Sequence, residues 1–210
     1  MDIKKLVLGV VHSNCYILTD SDSGESVVID PGAFDIPLIE AVKPLHVRYI
    51  LATHRHFDHV LGIEPLKRIT GAQIAIHEQD ACGLADGDHS LATMVQTSMS
   101  IVEPDILLRD GFILPFANGQ IEVLHTPGHT IGSVCFLLDG FLFSGDTLFQ
   151  GSCGRLDLPT GNAQDMMVSL RRLSELPGQT RVLSGHGAES TIAAEQKNNP
   201  YVKRGTLSCY

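Results

Sequence analysis

The segment "ILATHRHFDHVLG", residues 50–62, constrains the fold of this chain more than any other stretch. Three histidines and an aspartate fall within the six positions 54–59, directly after an apolar run that includes a β-branched residue. Histidine and aspartate are costly to bury unless something pairs with them, so a cluster of this density calls for a cation. In an extended segment, residues two apart project to the same side. His54 and His56 can therefore grip one ion together. Asp58 and His59 follow where the backbone turns into the next helix, and can face a second ion nearby.

The rest of a cage has to come from elsewhere in the chain. Three candidates sit in glycine-rich turns after predicted strands: His129 in "TPGHT", Asp146 in "SGDT" and His186 in "SGHG". Small neighbours let the backbone approach a crowded site. Together these seven residues fill two adjacent sites. Three neutral imidazoles suit a catalytic zinc that keeps a position open for water, and the two oxygens of Asp146 allow it to bridge. Two divalent ions are thus expected, zinc first, with iron or manganese as alternatives.

Apolar–polar patterning predicts strands over 3–11, 14–19 and 25–30, a short helix over 36–42, a strand "VRYILAT", a helix over 62–69 and a strand "AQIAIH". Residues 83–104 read as a loop with a helix. Strands are expected near 106–108, 112–114 and 120–125, followed by a hairpin turning at Asp139-Gly140. "NAQDMMVSLRRLSEL" predicts an amphipathic helix with Met166, Met167, Leu170, Leu173 and Leu176 on one face. "RVLSGHG" predicts a short strand, and a last helix starts near Glu189. Strands open each half and helices finish it, which predicts two sheets with helices on their outer faces, not one doubly wound sheet. At 210 residues a single domain spanning 1–210 is expected.

Composition excludes little but points away from some partners. The net charge is −9 and no basic run is present, so no nucleic-acid footprint is indicated. The five cysteines, at 15, 82, 135, 153 and 209, show no paired spacing and read as reduced thiols. The apolar run Leu6–Val11 is shorter than a signal core and nothing approaches membrane-spanning length. The expectation is a cytoplasmic protein with no membrane partner, a monomer or a small homo-oligomer.

In order, "THRHFDH", "TPGHT", "SGDTLF" and "GHG" resemble the ligand motifs of the metallo-β-lactamase-fold hydrolases. The resemblance covers nearly the whole chain. It implies an α+β fold, an αββα sandwich of two mixed sheets, with a binuclear site between them. It places His54, His56 and His129 on the first metal, Asp58, His59 and His186 on the second, and Asp146 as the bridge. Asp58 and Asp146 would be the catalytic carboxylates. "GDTLFQGSCGRLDLPTGN" and "EQKNNPYV" resemble short, bacterial-type glyoxalase II-like proteins. That likeness implies hydrolysis of hydroxyacylglutathione or a related small-molecule thioester, by hydroxide held between the two ions. The alternative is a persulfide dioxygenase, with one iron on His54, His129 and Asp146; "SCGRLD" is similar to the loop of such enzymes.

Other residues have expected supporting roles. Asp30 in "DPG" would orient the histidine loop, and Arg155 would meet a substrate carboxylate or pair with Asp157. Cys153 would pack as a small apolar side chain. Arg55 occupies a position that is not a ligand in the motif. His12, His46, His77, His89 and His125 fit no ligand motif, with His77 expected nearest the cleft. Residues 187–210 leave no room for the helical C-terminal domain with which longer glyoxalase II enzymes hold glutathione. The thiol half should therefore be recognised weakly, by loops 83–104 and 151–160.

Overall fold

A computed structural model describes residues 1–204; Cys209 lies outside them. The first sheet holds β1 (Asp2–Leu8), β2 (Ser13–Thr19), β3 (Glu25–Ile29), β4 (His46–Leu51), β5 (Gln73–His77) and β6 (Ile106–Leu108) in that spatial order. Its first three strands pair antiparallel and the rest parallel. The second sheet contains β7 (Ile113–Phe116), β8 (Gly119–His125), β9 (Val134–Leu138), β10 (Phe141–Gly145), β13 (Arg181–Ser184) and β14 (Ser190–Thr191). Its pairings are antiparallel except that of β10 with β13. A small ribbon of β11 (Leu148–Phe149) and β12 (Ser152–Cys153) follows β10.

Alternating side chains face each other between the sheets: Leu18, Ile29 and Leu51 from the first meet Val123, Phe136 and Phe143 from the second. The other face of the first sheet, with Val28, Ile50 and Ile74, is covered by α1 (Ile36–Val42) and α3 (Ile63–Thr70) through Leu38, Val42, Ile63 and Leu66. The outer face of the second sheet is covered by α5 (Ala163–Ser174) and α6 (Ile192–Asn198) through Met166, Leu170, Leu173 and Ile192. The result is the expected αββα sandwich. Each sheet must be buried on both faces because its strands are apolar on both, as in "CYIL" of β2. Among the described residues, no helix is long and apolar enough to cross a membrane.

Four expectations need correction. The first strand stops at Leu8, because Gly9 and His12 take left-handed φ values of +66° and +59° and turn the chain. Within 83–104 the helix lies at the front edge only, as α4 (Cys82–Ala85), and turns follow it. The last part does not enter a helix at Glu189: a short strand, β14, intervenes and Thr191 caps α6 by accepting from the Ala194 N–H. On α5 the buried face includes Ser169 and not Met167. Met167 is rotated about 100° from Met166, whereas the Ser169 hydroxyl donates to the Pro127 carbonyl at 2.7 Å. The Asp139-Gly140 turn is as expected, with φ of +48° and +79° at the two positions.

Candidate metal centre

All seven expected ligands lie at one rim of the sandwich, at the carboxyl ends of β4, β8, β10 and β13 or in the loops that leave them. β4 delivers residues 52–56, and His56 then takes extended angles as the N-cap of the one-turn helix α2 (Phe57–Val60). That turn carries Asp58 and His59 back over the rim. His129 comes from the β8–β9 loop, Asp146 from the end of β10 and His186 from the end of β13. β10 and β13 run side by side in parallel, so their last residues arrive together. Gly185 permits that approach: a Cβ there would lie 2.3 Å from Asp146 Oδ1 and 2.7 Å from the His59 ring.

Three groups of potential ligand atoms result: His54, His56 and His129; Asp58, His59 and His186; and, between them, His54, His59 and Asp146. Within each group the atoms lie within 4.8 Å of one another. Asp146 Oδ1 faces His59 Nε2 at 3.5 Å. Its Oδ2 faces His129 Nε2 at 3.6 Å and His186 Nε2 at 3.7 Å. His186 Nε2 also lies 3.1 Å from Asp58 Oδ2.

The hydrogen bonds around the rings leave lone pairs aimed inward. Asp30 Oδ2 accepts from the Thr53 hydroxyl at 2.6 Å and from His59 Nδ1 at 2.9 Å. The Thr53 hydroxyl proton is thereby used, so His54 Nδ1 donates to that oxygen at 3.1 Å. His129 Nδ1 donates to the Arg155 carbonyl at 2.8 Å. In neutral rings each Nε2 then carries a bare lone pair. His54 Nε2, His59 Nε2 and Asp146 Oδ1 are buried with no hydrogen-bond partner, a costly state for polar atoms. His56 Nδ1 and His129 Nε2 face each other at 2.8 Å; two ring nitrogens this close require a shared proton or a shared cation.

The electrostatics agree with the donor set. Burial pushes His54 well below the ordinary histidine value, and the surrounding imidazoles add to it. Burial and His129 likewise take His56 down to about 2. Both rings are therefore neutral, as ligands must be. Burial opposes charge on Asp58, yet His59 and the hydrogen bond from His186 hold its carboxyl well below the usual range. Burial also opposes charge on His59, but Asp58, Asp146 and Asp30 hold its imidazole well above its usual value. A field of that sign favours a cation at this end of the cluster. These residues fit metal ions on donor chemistry, orphaned buried atoms and charge.

A second buried carboxylate escaped the sequence reading. Asp80, fully buried in the turn after β5, accepts from the Arg55 N–H at 3.2 Å, the Thr130 hydroxyl at 2.6 Å and the Gly132 N–H at 3.1 Å. It thus ties the His54–His56 loop to the loop carrying His129. The Arg55 side chain lies beside it, Nε to Oδ1 at 3.8 Å, and extends to the Thr160 hydroxyl at 3.1 Å. The available signal was position: like the ligands, Asp80 follows a strand that ends at the site rim.

The remaining candidates sort plainly. Asp30 supports the histidine loop, as expected. Arg155 lines the cleft but pairs with Asp157 through two bonds of 2.7 and 2.6 Å. Cys153 packs against the outer core of the second sheet, and burial raises its thiol to about 11. His77 does not line the cleft; it is 4% exposed and stacks on His125 with ring centroids 4.1 Å apart. The four cysteines among the described residues are free thiols.

The model of the metallo-beta-lactamase superfamily matches residues 8–186. The chain belongs to this superfamily. Among curated relatives, an uncharacterized protein of Aquifex aeolicus is 38% identical over 96% of this chain and 97% of its own. The probable metallo-hydrolase YqgX of Bacillus subtilis is 32% identical, over 99% of this chain and its whole length. The hydroxyacylglutathione hydrolase GloC of Haemophilus influenzae is 31% identical, covering 96% of this chain and 98% of its own. Among solved structures, the B3 metallo-beta-lactamase BLEG-1 superposes with a TM-score of 0.90 at 33% identity, over 96% and 99% of the two chains. TTHA1623 in a di-iron-bound form gives 0.85 at 33% identity, over 94% and 99%.

Proposed function

We propose that this superfamily member hydrolyses thioesters, hydroxyacylglutathione or a similar small molecule, at a binuclear metal site. The observation that carries the reading is the placement of Asp146 between two complete triads, with one oxygen toward His59 and the other toward His129 and His186. His54, His56 and His129 would hold one ion, Asp58, His59 and His186 the other, and Asp146 would contact both. Bound there, the ions would lower the pKa of water toward neutrality and polarise the acyl oxygen.

The chain's own residues supply the rest. Asp30 and the Arg155 carbonyl fix the ring tautomers, so that the Nε2 lone pairs of His54, His59 and His129 point inward. Asp58 stays ionised beside His59 and through its bond to His186 and completes the second triad. In the reaction, water gives up a proton to solvent as its oxygen adds to the acyl carbon. The carbon–sulfur bond breaks and the sulfur departs with the bonding pair, leaving a carboxylic acid that then ionises and a thiolate. A thiolate needs no proton to leave. No tyrosine or lysine lines the cleft as described, which suits a thiol leaving group better than the amine of an amide. The relatives named hydroxyacylglutathione hydrolase support the substrate class, and the di-iron-bound neighbour supports two ions per chain. Zinc is proposed first, with iron or manganese as alternatives.

The test pairs metal analysis with kinetics. The purified protein should carry two ions per chain and release thiol from a thioester. Asp146→Ala should lose metal and at least about 100-fold in activity, whereas Arg155→Ala should keep its metal and most of its turnover. One iron per chain with oxygen uptake on a persulfide would instead establish the dioxygenase alternative. Full metal occupancy in the Asp146 variant would exclude bridging.

A further inference from the structure

The cleft above the cage is small and its walls are apolar. Its volume is about 210 Å³, and outside the cage residues it is lined by Val11, Phe57, Leu91, Leu158 and Arg155. Sites for drug-sized ligands run from about 300 to 1,000 Å³, so the cleft suits a short chain better than a tripeptide. Val11 lies in the β1–β2 turn and is 44% exposed. A ligand that covers it removes apolar surface from water, which is favourable in proportion to the area covered.

Charge recognition outside the cage has little to work with. Arg155 is committed to Asp157 by two hydrogen bonds. That pair is exposed and weak by itself, but an incoming carboxylate would only replace Asp157 and so add no new ion pair. Arg55 is 5% exposed and spends its guanidinium on Cys82 Sγ, the Pro159 carbonyl and Thr160. Lys5 Nζ donates to the Gly187 carbonyl at 3.2 Å. Among the described residues, the two carboxylates of a glutathionyl group would meet the engaged cations Arg155, Arg55 and Lys5 and apolar walls. Larger depressions, of about 370 and 350 Å³, lie away from the cage and cannot hold the far end of a substrate whose carbonyl is at the metals.

We infer that the cleft selects thioesters whose groups flanking the carbonyl are short, uncharged and apolar, in preference to thioesters of glutathione. The inference rests on the thioester-hydrolase reading and names the substrate class within it. The apolar walls act on binding, so the preference resides mainly in KM and leaves kcat similar, because uniform binding contributions do not change the chemical step.

The experiment uses the full-length protein loaded with zinc. It compares lactoylglutathione with lactoyl, butanoyl and hexanoyl thioesters of N-acetylcysteamine, an uncharged thiol. The expected result is a kcat/KM at least about 10-fold higher for the uncharged lactoyl ester than for lactoylglutathione. Each added methylene in the acyl chain should lower KM by about 4-fold until the cleft is filled. Val11→Asp, at an exposed turn that tolerates the change, should raise KM for the butanoyl ester at least about 10-fold with metal content unchanged, and Val11→Leu should not. Preference for lactoylglutathione overturns the inference and leaves the thioester reading standing, and its disappearance in Arg155→Ala would assign glutathione recognition to Arg155. If the fully loaded protein hydrolyses none of the esters, the thioester reading fails and this inference with it.

Discussion

Asp80 makes no contact with a ligand ring, yet it governs where two ligand loops sit. Its carboxylate accepts from Arg55, between His54 and His56, and from Thr130 and Gly132, on either side of the turn after His129. The side chains of Arg55 and Asp80 are 6% and 0% exposed. Removing one partner of such a buried pair leaves an uncompensated charge, at a cost of about 3–5 kcal/mol. Asp80→Ala is therefore expected to lower the urea midpoint by that equivalent. Arg55→Met in the same chain should recover part of the loss, since it removes the stranded guanidinium. Strict additivity of the two variants in urea titrations would show that the pair is not coupled.

Between elements, the ends of β5 and β8 meet through the His77–His125 stack, with planes 10° apart. Burial and the neighbouring His125 push His77 down to about 4, against about 6.5 for an unperturbed histidine. The unfolded chain then binds a proton between these values that the folded chain refuses. Stability contributed by neutral His77 is complete above about pH 6.5 and is lost as the pH falls toward 4. The facing groups act on the same balance: Glu78 and Asp110 favour the charged ring, and Arg109 disfavours it. His77→Phe keeps an aromatic face for His125 and removes the titration. Its unfolding free energy should fall less steeply than that of the parent between pH 6.5 and 4, measured on metal-free protein so that ligand protonation is common to both. Parallel pH profiles would assign the acid sensitivity elsewhere.

At the scale of the whole molecule, the cage joins the two sheets at one rim. Ions held by both halves would stabilise the folded state by mass action, by about 2.7 kcal/mol at a hundredfold excess over Kd. For a chain of this length that corresponds to about 5–10 °C in Tm. Chelator should lower Tm by that amount, and re-addition of zinc should restore it. An unchanged Tm would argue against ions shared between the sheets. Arg155→Ala should respond to chelator as the parent does, because its contact with Asp157 lies outside the cage.

Much of this was legible in order and type. The H-x-H-x-D-H run after β4, and His129, Asp146 and His186 each in a glycine-rich turn after a strand, specify a set of candidate donors and their arrival at strand ends. Short apolar runs in β2 to β4, bounded by turn residues, specify strands buried on both faces, and turn residues such as Asp139-Gly140 specify where strands reverse. These are properties of neighbouring residues, set by backbone geometry and local sterics. Only the tertiary structure decided the rest: that residues 54 and 186 share a cluster, that Asp80 braces two loops, that Ser169 and not Met167 faces the core. It alone also decided that His77 stacks away from the cleft and that Asp157 already occupies Arg155. Each of these depends on which distant group arrives opposite a side chain, through burial, hydrogen bonding and charge across the two sheets, and no local pattern along the chain encodes that partner.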